Sequence, residues 1–344
     1  MTETLQAPFV WFGGKRRAAP LVWDALGDVP QYVEPFAGSA AVLLARPPFT
    51  GRRIETLNDA DGWLVNTWRA IQLAPDQVAA AAEGPMTEID YHARLAWLQQ
   101  RRTPDLVAWL EGDPEHYDAK AAGWWLYVCA AGIGNPFDPG PWQVIDGHLR
   151  NIRTTNQGAG INRELPHLSC NQGITRELPS LGNAGRGTAK QSGSQLAGYM
   201  QALASRLQQV RITCGDWRRV LTPSAVANGG RTKHDPQTLG VFLDPPYTVG
   251  SSLYATDHSQ DISVDVEQWA AEHGDQYRIV LAGFNTDHDQ LLNIGWHKIH
   301  GKSGGGGGYN TDRTADRRER LWISPTCAGP AEDLFSQNDA IWDQ

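Results

Sequence analysis

The segment Gln31-Tyr-Val-Glu-Pro-Phe36, followed by Ala37-Gly38-Ser39 and the apolar run Ala40 to Ala45, restricts the fold more than any other feature. A short buried strand, a tight glycine turn and a helix make the opening half of an α/β unit. Arg53-Ile-Glu-Thr-Leu57 predicts a second strand ending at Asn58-Asp59. Asp61 predicts the cap of an amphipathic helix through Leu73, with Leu64, Val65, Trp68 and Ile71 on one face. Much further on, Arg211 to Asp216, Gly240 to Asp244, Arg278 to Gly283 and Glu319 to Pro325 read as strands, and Val264 to His273 as a helix.

The α/β pattern is therefore split. From Pro75 to Ile133 the chain is Ala-rich and helical, with Trp97, Trp109, Trp124 and Trp125 at core positions. Gly134 to Trp142 holds too many Pro and Gly for a regular element. Ile161-Asn-Arg-Glu-Leu-Pro-His-Leu168 and Ile174-Thr-Arg-Glu-Leu-Pro-Ser-Leu181 repeat one another, but two copies are too few for a solenoid. A helix resumes at Leu196, with Tyr199, Met200, Leu203, Leu207 and Val210 at helical spacing. The 344 residues thus divide into an α/β domain over 1–75 and 205–330, an inserted helical and loop-rich domain over 76–204, and a tail over 331–344.

Charge adds a second clue. The chain carries 38 acids against 30 bases, a net charge of -8, which taken alone argues against a nucleic-acid partner. Yet Val144 to Arg219 holds ten bases and four acids, a basic stretch in an acidic chain. The four cysteines, Cys129, Cys170, Cys214 and Cys327, share no CxxC spacing, so neither a metal knuckle nor a redox pair is expected. No run approaches the length of a membrane span, and no basic flank precedes an apolar run near residue 1. The expectation is a cytoplasmic protein without a metal.

Asp244-Pro245-Pro246-Tyr247 follows a predicted strand. In open α/β sheets, ligands bind beyond the carboxyl ends of the strands. Two prolines stiffen the backbone and remove two donors, which leaves carbonyls to accept. A carboxylate and a proline carbonyl can accept both hydrogens of one amino group, and an adjacent ring can stack on the plane that carries it. The site suits the exocyclic amine of a base. A Pro-rich strand exit with a capping aspartate explains the bare tetrapeptide equally well.

Further motifs decide between the two. Trp11-Phe-Gly-Gly-Lys15, Val33-Glu-Pro-Phe-Ala-Gly-Ser39, Asn58-Asp59, Asp244-Pro-Pro-Tyr247 and Arg320-Leu-Trp-Ile-Ser-Pro325 occur in this order. In these motifs and their order the chain resembles the DNA adenine methylase family, which uses S-adenosylmethionine, over roughly residues 8–75 and 205–325. The resemblance implies a Rossmann-like class I methyltransferase sheet with an inserted target-recognition domain. It implies that Trp11, Lys15, Glu34, Phe36, Gly38, Asp59, Asp216 and Asp244 hold the cofactor. Lys15 would meet the cofactor carboxylate, Asp59 the ribose hydroxyls and Asp216 the adenine, with Trp217 packed beside it. Asp244, Pro245, Pro246 and Tyr247 would act on an adenine flipped out of double-stranded DNA.

The resemblance thins in the insert, whose Arg-Glu-Leu-Pro repeat is similar to inserts of methylase-like bacteriophage proteins. Arg150, Arg153, Arg163, Arg176, Arg186 and Lys190 are the candidates for DNA contact; a local ion pair with the following glutamate competes at Arg163 and Arg176. The same acceptors would serve a cytosine amine, and a DNA-binding protein without activity would keep the same fold. No G-x-G-x-x-G follows the first strand, which disfavours a dinucleotide oxidoreductase.

Overall fold

The computed structural model describes residues 5–9, 15–84, 87–101, 105–113, 115–131, 142–145, 148–151, 193–226, 239–246, 259–284, 286–300 and 319–327. In chain order the first half runs α1 (Ala19–Leu26), β1 (Gln31–Glu34), α2 (Ala41–Leu44), β2 (Ile54–Asp59), α3 (Gly62–Leu73), α4 (Pro75–Ala82), α5 (Glu88–Gln100), α6 (Asp105–Gly112) and α7 (Ala119–Ala131). There follow β3 (Trp142–Ile145), β4 (His148–Asn151), α8 (Gly193–Leu207), β5 (Val210–Cys214), α9 (Pro223–Val226) and β6 (Leu239–Leu243). Then come α10 (Ser259–His273), β7 (Arg278–Phe284), β8 (His297–His300) and β9 (Glu319–Ile323).

Seven strands form one sheet in the order β5-β2-β1-β6-β7-β9-β8. The first five are parallel, and β9 runs antiparallel to both β7 and β8. The chain grows outward from β1 to β2 and β5 on one side, then returns to place β6 and β7 on the other. The order therefore reverses between β1 and β6, and a crevice opens beyond their carboxyl ends.

Side chains alternate across the strands and split the core in two. Tyr32, Phe242, Val280, Ala282, Leu321 and Ile323 face one core with α1, α3, α4, α7 and α8. Val33, Val241, Leu243, Ile279, Leu281 and Trp322 face the other, with Val266 and Ala270 of α10. Covered on both faces, β1 and β6 are buried throughout, which is why β6 reads as a continuous apolar run, while β1 buries Gln31 and Glu34 at its two ends.

Helix α3 is capped as the sequence predicts: the Asp61 carboxylate accepts from the N–H groups of Trp63 and Leu64. It differs in being buried from Gly62 to Ile71 rather than on one face. Its second face holds polar groups that find partners. Asn66 exchanges hydrogen bonds with the Asp118 backbone, and Arg69 donates to the carbonyls of Leu110, Asp113 and His116. Helices α4, α7 and α8 pack in the same core as α3. Gly123 makes the α4 contact possible, since a Cβ there would stand 2.5 Å from Ala81 Cβ.

Other readings need correction. Trp109 is 57% exposed rather than in the core, and its ring lies beside His116. Val210 opens β5 instead of continuing the preceding helix. β3 and β4 pair as an antiparallel hairpin, Gln143 opposite Arg150, an element that the sequence reading did not place. The repeats at 161–168 and 174–181 and most of 134–142 lie outside the described residues. No helix among the described residues is long and apolar enough to cross a membrane.

Candidate active site

Three strand exits are tied together at the crevice. The Ala37 N–H donates to the Asn58 carbonyl (2.8 Å), and the Asn58 amide donates to the carbonyls of Pro35 and Gly215 (3.0 Å each). Gly38 sits at φ +46°, a conformation that glycine adopts without strain. Its N–H donates to Asp59 Oδ2 (3.0 Å), and its carbonyl accepts from Trp68 Nε1 (3.0 Å). Asp59 Oδ1 accepts from the Asp61 N–H (3.0 Å). Burial pushes the Asp59 carboxyl up to about 6, against these backbone donors. Asp59 thus fastens the glycine turn to the end of β2.

Glu34, the last residue of β1, is 2% exposed. Its Oε1 accepts from the Tyr32 hydroxyl (2.6 Å) and the Leu43 N–H (2.9 Å). Its Oε2 has no hydrogen-bond partner among the described residues. Burial raises the carboxyl to about 8; the two donors oppose this, and the nearby Asp244 and Glu55 add to it. Glu34 lines a cleft together with Lys15, Phe36, Gly38, Phe242 and Asp244.

Asp244 leaves β6 directly into this cleft. Lys15, 4% exposed, places its Nζ 2.8 Å from Asp244 Oδ2 and 2.9 Å from Glu319 Oε1. Burial works against the ammonium, but the two carboxylates outweigh it and hold the lysine above its ordinary value. Lys15 therefore meets two protein carboxylates, a pairing that the sequence did not indicate. Glu319 is the residue that sequence reasoning missed. It opens β9 opposite Phe284, and because β9 is antiparallel its first residue stands at the carboxyl end of its neighbours.

Pro245 is buried and Pro246 half-buried beside Asp244. Asp216 accepts from the Arg218 N–H (2.8 Å) and is exposed, while Trp217 is buried and packs on Phe36 at 5.9 Å. The Trp217 indole N–H has no partner among the described residues. Trp11 and Tyr247 lie outside the described residues, as do Arg153, Arg163, Arg176, Arg186 and Lys190. Arg150 lies on β4. Part of the basic stretch is internally matched: Arg206 pairs with Glu55, Arg218 with Asp265 and Arg219 with Glu111. Among the described residues no His, Cys, Asp and Glu cluster could hold a metal ion.

Sheet order and crevice together define a Rossmann-like methyltransferase fold. Residues 11–99 match the family model of the D12 class N6 adenine-specific DNA methyltransferase, in agreement with the resemblance carried by the motifs. The match supports methylation of adenine in DNA in general terms. It takes in Lys15, the glycine turn and Asp59, and ends well before Asp244. A search of curated proteins finds no match.

Proposed function

We propose that this chain transfers a methyl group from S-adenosylmethionine to the exocyclic amine of an adenine flipped out of double-stranded DNA. The observation that carries the reading is the meeting of Asp244 and the unpartnered Glu34 oxygen at the reversal point of the sheet. Bound S-adenosylmethionine supplies a methyl carbon on a sulfonium sulfur, which leaves as a neutral thioether. The residues present fit such a group. A buried acceptor without a partner suits its ammonium, and the glycine turn lets backbone approach closely. Asp59 and Asp216 stand at the exits of β2 and β5, where its ribose and adenine would lie, with Phe36 and Trp217 as the apolar wall.

Asp244 would accept one amine hydrogen and the Pro245 carbonyl the other. These two acceptors would localise the lone pair on nitrogen and direct it at the methyl group that the cofactor would supply. Asp244 would then take the surplus amine proton and pass it to solvent. Tyr247 would stack on the flipped base and Trp11 would line the cofactor side. Catalysis of this kind is positioning plus fixed acceptors. Lys15 would hold the Asp244 carboxylate in place instead of capturing the cofactor carboxylate. The hairpin and the following segment, through Arg150, Arg153, Arg163, Arg176, Arg186 and Lys190, would face the phosphate backbone.

The test is transfer of a tritiated methyl group to duplex DNA, followed by separation of the nucleosides. N6-methyladenine is expected from the parent, with a loss of at least about 100-fold in Asp244→Ala and retained cofactor binding. Label in cytosine, or unchanged turnover in Asp244→Ala, overturns the proposal.

A further inference from the structure

We infer that Glu319 is a positioning residue for methyl transfer: through Lys15 it fixes where the Asp244 carboxylate stands. The inference rests on the function proposed above and extends it to a residue outside its motifs.

Three elements converge to build the contact. Lys15 lies at the entry to α1, its carbonyl accepting from the Ala19 N–H at 2.8 Å. Asp244 comes from the exit of β6 and Glu319 from the start of β9. The lysine ammonium sits between the two carboxylates, 2.8 and 2.9 Å away, while they keep 20% and 17% exposure. A lysine stem has four rotatable carbons and an ammonium with no preferred direction. With one carboxylate the ammonium can swing about it. With two on different strands it is pinned along the line between them, and so is each carboxylate. The sheet thereby aims Asp244 through its Oδ2. The composition of the cleft points the same way. The lysine stands between two carboxylates, and Glu34 from β1 borders the same cleft. That environment suits a cationic methyl donor and an amine that becomes positive as it is methylated.

Glu319→Gln keeps an oxygen that can accept from Lys15 but removes the charge; Glu319→Ala removes both; Glu319→Asp keeps the charge. Turnover and Michaelis constants are measured for each across the pH range, with melting temperature as a control. The expected result for Glu319→Ala is a fall in kcat of about 10- to 100-fold, with the Michaelis constant for S-adenosylmethionine within about twofold. In Glu319→Gln the alkaline limb of the kcat profile should move to lower pH, because one of the two charges that hold Lys15 protonated is gone. Glu319→Asp should recover much of both. A residue that merely staples β9 would lower the melting temperature and leave the profile in place. A second readout does not depend on activity: the carbon-13 titration of the Lys15 side chain, assigned by its loss in Lys15→Met. It should shift to lower pH in Glu319→Gln even if the parent methylates no DNA, which separates this inference from the function itself. An unchanged Lys15 titration, or a Glu319→Gln enzyme with the parental alkaline limb, overturns the inference.

Discussion

Replacing Glu34 by Gln should make the protein more stable at alkaline pH and leave it almost unchanged in acid. The carboxyl is buried, titrates near 8 in the fold, and has an ordinary value near 4.5. Between those two values the folded state holds a proton that the unfolded state has lost. Stability therefore falls as pH rises, and the loss is complete only above the folded value. At about 1.4 kcal/mol per pH unit, the whole interval amounts to about 5 kcal/mol. Gln keeps an oxygen for the Tyr32 hydroxyl and the Leu43 N–H but cannot ionise. Urea denaturation of parent and Glu34→Gln at pH 5 and pH 8.5 measures the difference. The gap between the two proteins should widen in favour of the variant by about 4 kcal/mol over that range. A gap of the same size at both pH values refutes the reasoning, since it shows that Glu34 does not titrate in this window. The same argument links stability to ligand. A cation seated against Glu34 favours the ionised form, so binding S-adenosylmethionine near pH 7 should release protons from the parent and fewer from the variant. Calorimetry in buffers of different ionisation enthalpy reads this directly.

Asp61→Ala should lower the unfolding free energy by about 0.5–2 kcal/mol, as removal of an α-helix cap does, and chemical denaturation checks it. Asp244→Asn should retain more activity than Asp244→Ala, because an amide oxygen still accepts a hydrogen bond; equal loss in the methyl-transfer assay would contradict this. The double variant Arg163→Ala, Arg176→Ala should bind DNA more weakly than either single variant. If both arginines meet phosphates, it should flatten the slope of log affinity against log salt by about two, as titration at several salt concentrations would show.

The alternation of strands and helices was legible because each central strand is a short run with both faces buried, ending at Glu34, Asp59 or Asp244. The α3 cap was legible for a local reason: Asp61 precedes the helix and needs no tertiary partner. What stayed hidden depends on what packs against what. Asn66 and Arg69 fall outside the apolar face read from the sequence, and the carbonyls near α6 and α7 explain their burial. Trp109 looked like core because tryptophan usually is, yet its helix turns that ring outward. The β3–β4 hairpin had a signal that the Pro- and Gly-rich neighbourhood obscured. Asp146-Gly147 stands between its two runs, and that dipeptide favours a two-residue hairpin turn. At the site, Asp244 was evident from its motif. Glu319 was not, because its role depends on the reversed direction of β9, which no local pattern encodes.

The reversal of β9 also bears on when the protein becomes competent. Lys15 emerges early from the ribosome, Asp244 much later, and Glu319 at nearly the last step of the described sheet. A nascent chain that has reached β7 can already assemble the five parallel strands. It still holds a lysine facing one carboxylate in place of two. Closing the charge cluster thus waits on synthesis of the final strand, so a stalled or truncated product would carry the sheet without its finished centre.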